Sequence, residues 1–101
     1  MYKITRRNLK KEIKRRKTPA LLCFWADSGV SSFLYQETIK SLNNRIEIYT
    51  GDKKLQKKYN IKFLPTALVI KNNEVTDRII GNVGKENFLQ IIMQNEECKN
   101  N

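Results

Sequence analysis

The run Ala20-Leu21-Leu22-Cys23-Phe24-Trp25-Ala26 constrains this chain most. Thr18-Pro19 precedes it, and proline disfavours helical geometry in the residue before it, so nothing helical carries into the run from the N-terminal side. Asp27-Ser28-Gly29-Val30-Ser31-Ser32, rich in residues that open helices, follows it. Continuous apolar character over strand length, without alternation, marks a central strand covered on both faces. Such a strand needs a helical layer above it and another below it, and the rest of the chain must supply both.

The flanking segments are of the right kind. Met1 to Ile4 reads as a short strand, and Thr5 as the N-cap of a helix through Lys17 whose inward seam is Leu9 and Ile13 at i, i+4. Phe33 to Leu42 carries apolar residues at helical spacing, Asn43-Asn44 ends it, and Ile46 and Ile48 alternate with Glu47 and Tyr49 as in a strand. Residues 52–59 form a short lysine-rich helix with Leu55 and Tyr59 inward. Ala67–Ile70 and Val75–Ile80 form a hairpin about Lys71-Asn72-Asn73-Glu74, Gly81 closes it, and Gly84–Gln94 makes a last helix with Phe88, Leu89, Ile92 and Met93 on one face. The order β-α-β-α-β-α-β-β-α predicts an α/β fold, a mixed central sheet of four to five strands flanked by helices. With 101 residues there is room for one domain, 1–96, and a polar tail, 97–101.

The chain has no His, which removes the commonest metal ligand and the usual neutral-pH base, so zinc sites and Ser-His or Cys-His catalysis are not expected, nor any cofactor. Cys23 and Cys98 lie 75 positions apart, so neither a disulfide framework nor a C-x-x-C pair is present. Two unpaired thiols, with no apolar run long enough to span a bilayer, point to the cytoplasm and away from a membrane. The net charge of +10 is uneven: residues 1–62 hold 16 basic and 5 acidic groups, residues 63–101 hold 4 and 5. Arg6, Arg7, Lys10, Lys11, Lys14 and Arg15 are accordingly a candidate surface for nucleic acid or an acidic partner. Against this stands the lack of any nucleic-acid-binding motif and of aromatics interleaved with the basic run.

Four anchors resemble the thioredoxin family over nearly the whole chain. Pro19 to Ala26 resembles the strand leading to the family's redox site. Tyr59-Asn60-Ile61 with Phe63-Leu64-Pro65-Thr66 resembles the segment that holds its cis-proline. Leu68 to Glu74 is similar to its strand-turn hairpin, and Gly81 falls where the family keeps a glycine before the last helix. The resemblance implies a thioredoxin-like fold. It also implies that C-x-x-C should follow Phe24-Trp25-Ala26, with the first thiol at a helix N-terminus where backbone N–H groups lower its pKa.

No cysteine is there. A gapless match puts Gly29 at the nucleophile and Ser32 at the resolving position; one deletion puts Ser28 and Ser31 there instead. Serine forms no disulfide, so both alignments leave the exchange reaction without its reagent. Cys23 stands where the family commonly keeps a buried acid that assists proton transfer. By resemblance, Trp25, Ser28, Gly29, Val30, Ser31 and Ser32 with Leu64 and Pro65 would form a peptide-binding groove using strand addition. By residue type alone, the three serines are helix caps, Trp25 is packing and Cys23 a small buried hydrophobe.

The expected function is a redox-inactive thioredoxin-like module whose partner is a protein or peptide. A thiol-disulfide oxidoreductase acting through Cys23 or Cys98, or a Ser-x-x-Ser form in which Ser28 and Ser31 replace cysteines, is the second reading. Nucleic-acid binding through the basic N-terminal surface is the third.

Overall fold

The computed structural model describes residues 2–5, 7–14 and 17–97. Five strands, β1 (Tyr2–Ile4), β2 (Ala20–Phe24), β3 (Glu47–Gly51), β4 (Thr66–Lys71) and β5 (Glu74–Ile80), form one sheet in the order β1-β3-β2-β4-β5. β3 pairs in parallel with β1 and β2, while β4 runs antiparallel to β2 and β5. All five residues of β2 are buried, as a strand sandwiched between two helical layers requires.

Alternation along β2 divides the core in two. Leu21 and Cys23 point into one cluster with Tyr35, Ile39, Leu42, Phe88 and Ile92, from α1 (Val30–Lys40), its C-terminal turn and α3 (Lys85–Glu97). Ala20, Leu22 and Phe24 point into the other, closed by Leu9, Ile13 and Leu55. Leu55 comes from α2 (Lys53–Lys58), which Asp52 caps by accepting the Leu55 N–H at 2.9 Å. The β4–β5 hairpin turns on Asn72 and Asn73, both in the left-handed region (φ 53° and 70°), which asparagine tolerates better than other side chains that carry a Cβ.

The first helix differs from expectation. In place of a helix over 5–17, the chain makes a turn at Arg7-Asn8 and a wide π-helical segment over Lys10–Lys14. Thr5 is not its cap. Asn8 Oδ1 accepts from both the Thr5 N–H (2.9 Å) and the Thr5 hydroxyl (3.2 Å), closing a local turn. Like charges at i, i+4, such as Arg7 with Lys11, disfavour a regular helix here. Leu9 and Ile13 nonetheless reach the core at 2% and 0% exposure. Elsewhere β2 ends two residues earlier than its apolar run, α1 begins at Val30 ahead of Phe33, and α3 runs on to Glu97. Met93, expected on the inner face of α3, is exposed, and the buried Asn95 occupies the inner side one turn-fraction later. Residues 98–101, including Cys98, lie outside the described residues, as do Arg6 and Arg15.

Candidate functional site

The register of the sheet assembles the site. Phe24, the last residue of β2, pairs with Thr66, the first of β4, and Thr66 in turn pairs with Ile80 near the end of β5. The loop after β2, the segment before β4 and the exit of β5 therefore meet at one end of the sheet. There the Leu64–Pro65 bond is cis, the Pro65 carbonyl accepts the Gly81 N–H at 2.8 Å, and the Thr66 hydroxyl donates to the Phe63 carbonyl at 2.6 Å. Among the described residues no backbone hydrogen bond engages the Leu64 N–H or C=O. An exposed, unpaired peptide unit of this kind is a template for strand addition.

On the facing side, α1 opens with Gly29 as its N-cap, at φ 110°, and no side chain caps the helix. The serines do not perform the capping role that their residue type suggests. Ser28 and Ser31 are exposed, and Ser32, 5% exposed, turns its hydroxyl back to donate to the Ala26 carbonyl at 2.6 Å. The helix start at Val30 puts Gly29 at the helix tip, as in the gapless alignment. In that alignment the first thiol position has no side chain and the second holds a hydroxyl tied to the loop backbone, while in the other alignment Ser28 and Ser31 carry exposed hydroxyls.

Cys23 does not replace them. Cys23 is 1% exposed inside the α1–α3 side of the core. Burial pushes its thiol up to about 12, against a smaller lowering contribution from the Tyr35 hydroxyl, so at neutral pH it is a protonated, weakly nucleophilic group. Tyr35 is itself raised above the usual phenol range, first by burial and then by Cys23. The Tyr35 hydroxyl is the one buried side-chain polar atom, among the described residues, without a conventional hydrogen-bond partner. Its ring packs edge-on against Trp25 (centroids 6.1 Å, 61°) and Phe88 (6.3 Å, 64°), which leaves Trp25 half-buried as a wall of the site.

One feature escaped the sequence reading. Val30, Phe33 and Leu34 are 76%, 59% and 53% exposed, although Phe33 and Leu34 belong to the apolar recurrence that marks this helix. The buried stripe of α1 is Ser32, Tyr35 and Ile39, so 30, 33 and 34, at i, i+3 and i+4, form a second apolar stripe facing solvent. Phe63 (62%), Leu64 (44%) and Ile80 (53%), the last paired with Thr66, are likewise exposed beside Pro65. A shallow pocket of about 330 Å³, lined by Asn60, Lys62, Phe63, Thr66, Arg78 and Ile80, adjoins it. The spacing of 30, 33 and 34 was the available signal: it adds an apolar face beyond what one core can cover.

Of the basic residues singled out, Arg7 and Lys11 are exposed, and Lys10 and Lys14 lie in the π-helical segment.

No family profile matches the chain. A curated protein described as thioredoxin from Rickettsia bellii (strain RML369-C) is 23% identical over 100 residues, covering 91% of this chain and 95% of the relative. Among solved structures, thioredoxin from Fasciola hepatica superposes with a TM-score of 0.83 at 19% identity, over 94% of this chain and 99% of its own. Thioredoxin from Malassezia sympodialis does so with a TM-score of 0.78 at 14% identity, over 95% and 91%.

Proposed function

Because the chain has the thioredoxin fold and a distant kinship to the thioredoxin family, yet carries no sulfur at the head of α1, we propose that it is a redox-silent module that binds an extended peptide segment of a partner protein. The observation that carries this reading is a contrast within one site. The reactive positions are Gly29 and an internally bonded Ser32, while the cis-Pro65 segment and its free Leu64 peptide group persist, rimmed by Val30, Phe33, Leu34, Phe63 and Leu64. A disulfide-exchange site needs thiolate; a binding groove needs unpaired backbone and apolar surface.

The peptide would pair its backbone with Leu64 and lay alternate side chains on the apolar rim. Trp25 walls the groove, and Ser28 and Ser31 offer exposed hydroxyls to the peptide's carbonyls. Two thiols without a C-x-x-C partnership fit work in a reducing compartment, the cytoplasm.

Selection of peptides from a random displayed library, followed by titration on the parent chain, tests the proposal. Phe63→Asp/Leu64→Asp should weaken the selected peptide by tenfold or more, about 1.4 kcal/mol, while Met93→Asp, equally exposed but on α3, should leave it unchanged. A selected peptide indifferent to both changes would overturn the groove as the binding site.

A further inference from the structure

The uneven charge of the sequence becomes an uneven charge in space. Residues 3–17 and 52–62 hold fourteen Lys and Arg against Glu12 and Asp52 alone. Among the described residues the fold lays part of each stretch on the same side of the sheet: Leu9 and Ile13 from the first and Leu55 from the second are buried in one cluster under Leu22, Phe24, Leu68 and Ile70, whereas Lys3 lines a pocket with Cys23 and Lys62 one beside Phe63. With the apolar residues turned inward, Arg7, Lys11, Lys53, Lys54, Lys57 and Lys58 stand exposed on the outside. Two grooves run across this face. One of about 530 Å³ is lined by Lys53, Lys54, Gln56, Lys57, Asn60 and Ile61, and one of about 600 Å³ by Thr5, Arg7, Asp52 and Lys54. Lys54 borders both, so the surface joins segments far apart in the chain.

These cations are not neutralised from within. Among the described residues the ion pairs are Glu37–Lys40 and Arg45–Glu96, both away from this face. Asp52 spends its carboxylate on the α2 cap, and Lys58 rests 5.7 Å above the Tyr59 ring with its charge intact. The opposite layer differs: α3 carries Lys85 against Glu86, Glu96 and Glu97.

We infer that the face formed by Arg7, Lys11 and α2 binds the phosphate backbone of duplex nucleic acid without sequence preference. Concentrated, unpaired cations attract phosphates and release their counterions. A protein partner would require an apolar centre depleted of charge, and none of the large exposed hydrophobics, Val30, Phe33, Leu34, Phe63, Leu64, Val75, Ile80 and Met93, lies in these segments. Single strands want aromatic platforms, and the aromatics here, Tyr49 and Tyr59, are turned into or against the core. The face adjoins the peptide groove, since Lys53 shares a pocket with Trp25 and Asp27 and Asn60 borders both the 530 Å³ groove and the pocket beside Phe63, but the inference rests on the cations and not on the apolar rim.

Fluorescence anisotropy of a labelled mixed-sequence duplex with the full chain tests it, at about 50 mM and about 200 mM salt. Binding in the micromolar range at the lower salt, falling log-linearly with salt, is expected. Lys53→Glu/Lys57→Glu should lower the salt slope by about 1.8, at about 0.9 per lost phosphate contact. Lys40→Glu/Lys85→Glu, which changes net charge equally on the other layer, should leave the slope in place. Lys54→Gln/Lys57→Gln, milder for the helix, should lower it in the same direction if the reversal variant fails to fold. The inference is overturned by an absence of binding at the lower salt, by equal effects of the two charge-reversal pairs, by tighter binding of the single strand, or by displacement of the duplex by polyglutamate at equal charge.

Discussion

Gly51→Ala probes how tightly the end of β2 is built. An added Cβ at Gly51 would overlap Cε1 of Phe24 and stand 2.8 Å from Cζ and 3.1 Å from Cδ1, where carbon atoms prefer about 3.5–4.0 Å. Gly51 has an ordinary backbone conformation, so the cost is one of space. Phe24 is 1% exposed and belongs to one buried cluster with Leu22, Tyr49 and Leu55, so in a close-packed interior its ring gives way only at a cost. Overpacking of this kind costs about 1–3 kcal/mol. For a chain of this size each kcal/mol lowers Tm by roughly 4–8 °C. Thermal melts followed by circular dichroism, with urea midpoints as a second measure, should show a Tm reduced by at least about 4 °C. Phe24 also leads directly into the loop whose Ala26 carbonyl holds Ser32, so peptide affinity should fall with it. A Tm unchanged within error would refute the close-packed description of this end of the sheet.

Other consequences are equally open to measurement. Asn95→Ala removes an acceptor from the Thr76 hydroxyl (2.5 Å) and a donor to Asp77 Oδ2 and the Ile91 carbonyl (both 2.8 Å), which should cost about 1–3 kcal/mol in urea unfolding. Glu96→Gln, which weakens the exposed bidentate pair with Arg45, should cost under about 1 kcal/mol by the same assay. Because the folded state keeps the Cys23 proton between about 9 and about 12 while the unfolded chain releases it, stability is full below that window and should decline as pH rises through it. Urea midpoints measured across that range should fall less steeply in Cys23→Ala. In a Cys98→Ser background, Cys23 should resist Ellman's reagent at neutral pH until denaturant is added, and prompt labelling of the native chain would show the burial to be wrong.

The sequence was most readable where one physical effect dominated. The unbroken apolar run had to be a central strand, and consecutive asparagines between two apolar segments had to be a tight turn, because few residues accept positive φ. It was least readable where effects compete. Thr5 is a good cap in isolation, but Asn8 offers a local turn and the neighbouring cations weaken the helix that Thr5 would start. Ser28, Ser31 and Ser32 look like caps, yet a glycine takes the cap position and Ser32 finds a better acceptor in Ala26. The helical spacing of Phe33 and Leu34 does not tell which way they face; only the sheet's position shows that Tyr35 and Ile39 fill the inner side. Lys71 carries a similar lesson, since its ammonium is drawn inside by the Asn95 carbonyl 2.7 Å away, a partner supplied from 24 residues downstream.

Reduction of insulin disulfides in the presence of dithiothreitol, beside a thioredoxin that has its C-x-x-C pair, bears most directly on whether this site has given up thiol chemistry. The rate with this chain should equal that of dithiothreitol alone. A faster rate that disappears in Cys23→Ser or in Cys98→Ser would contradict the account.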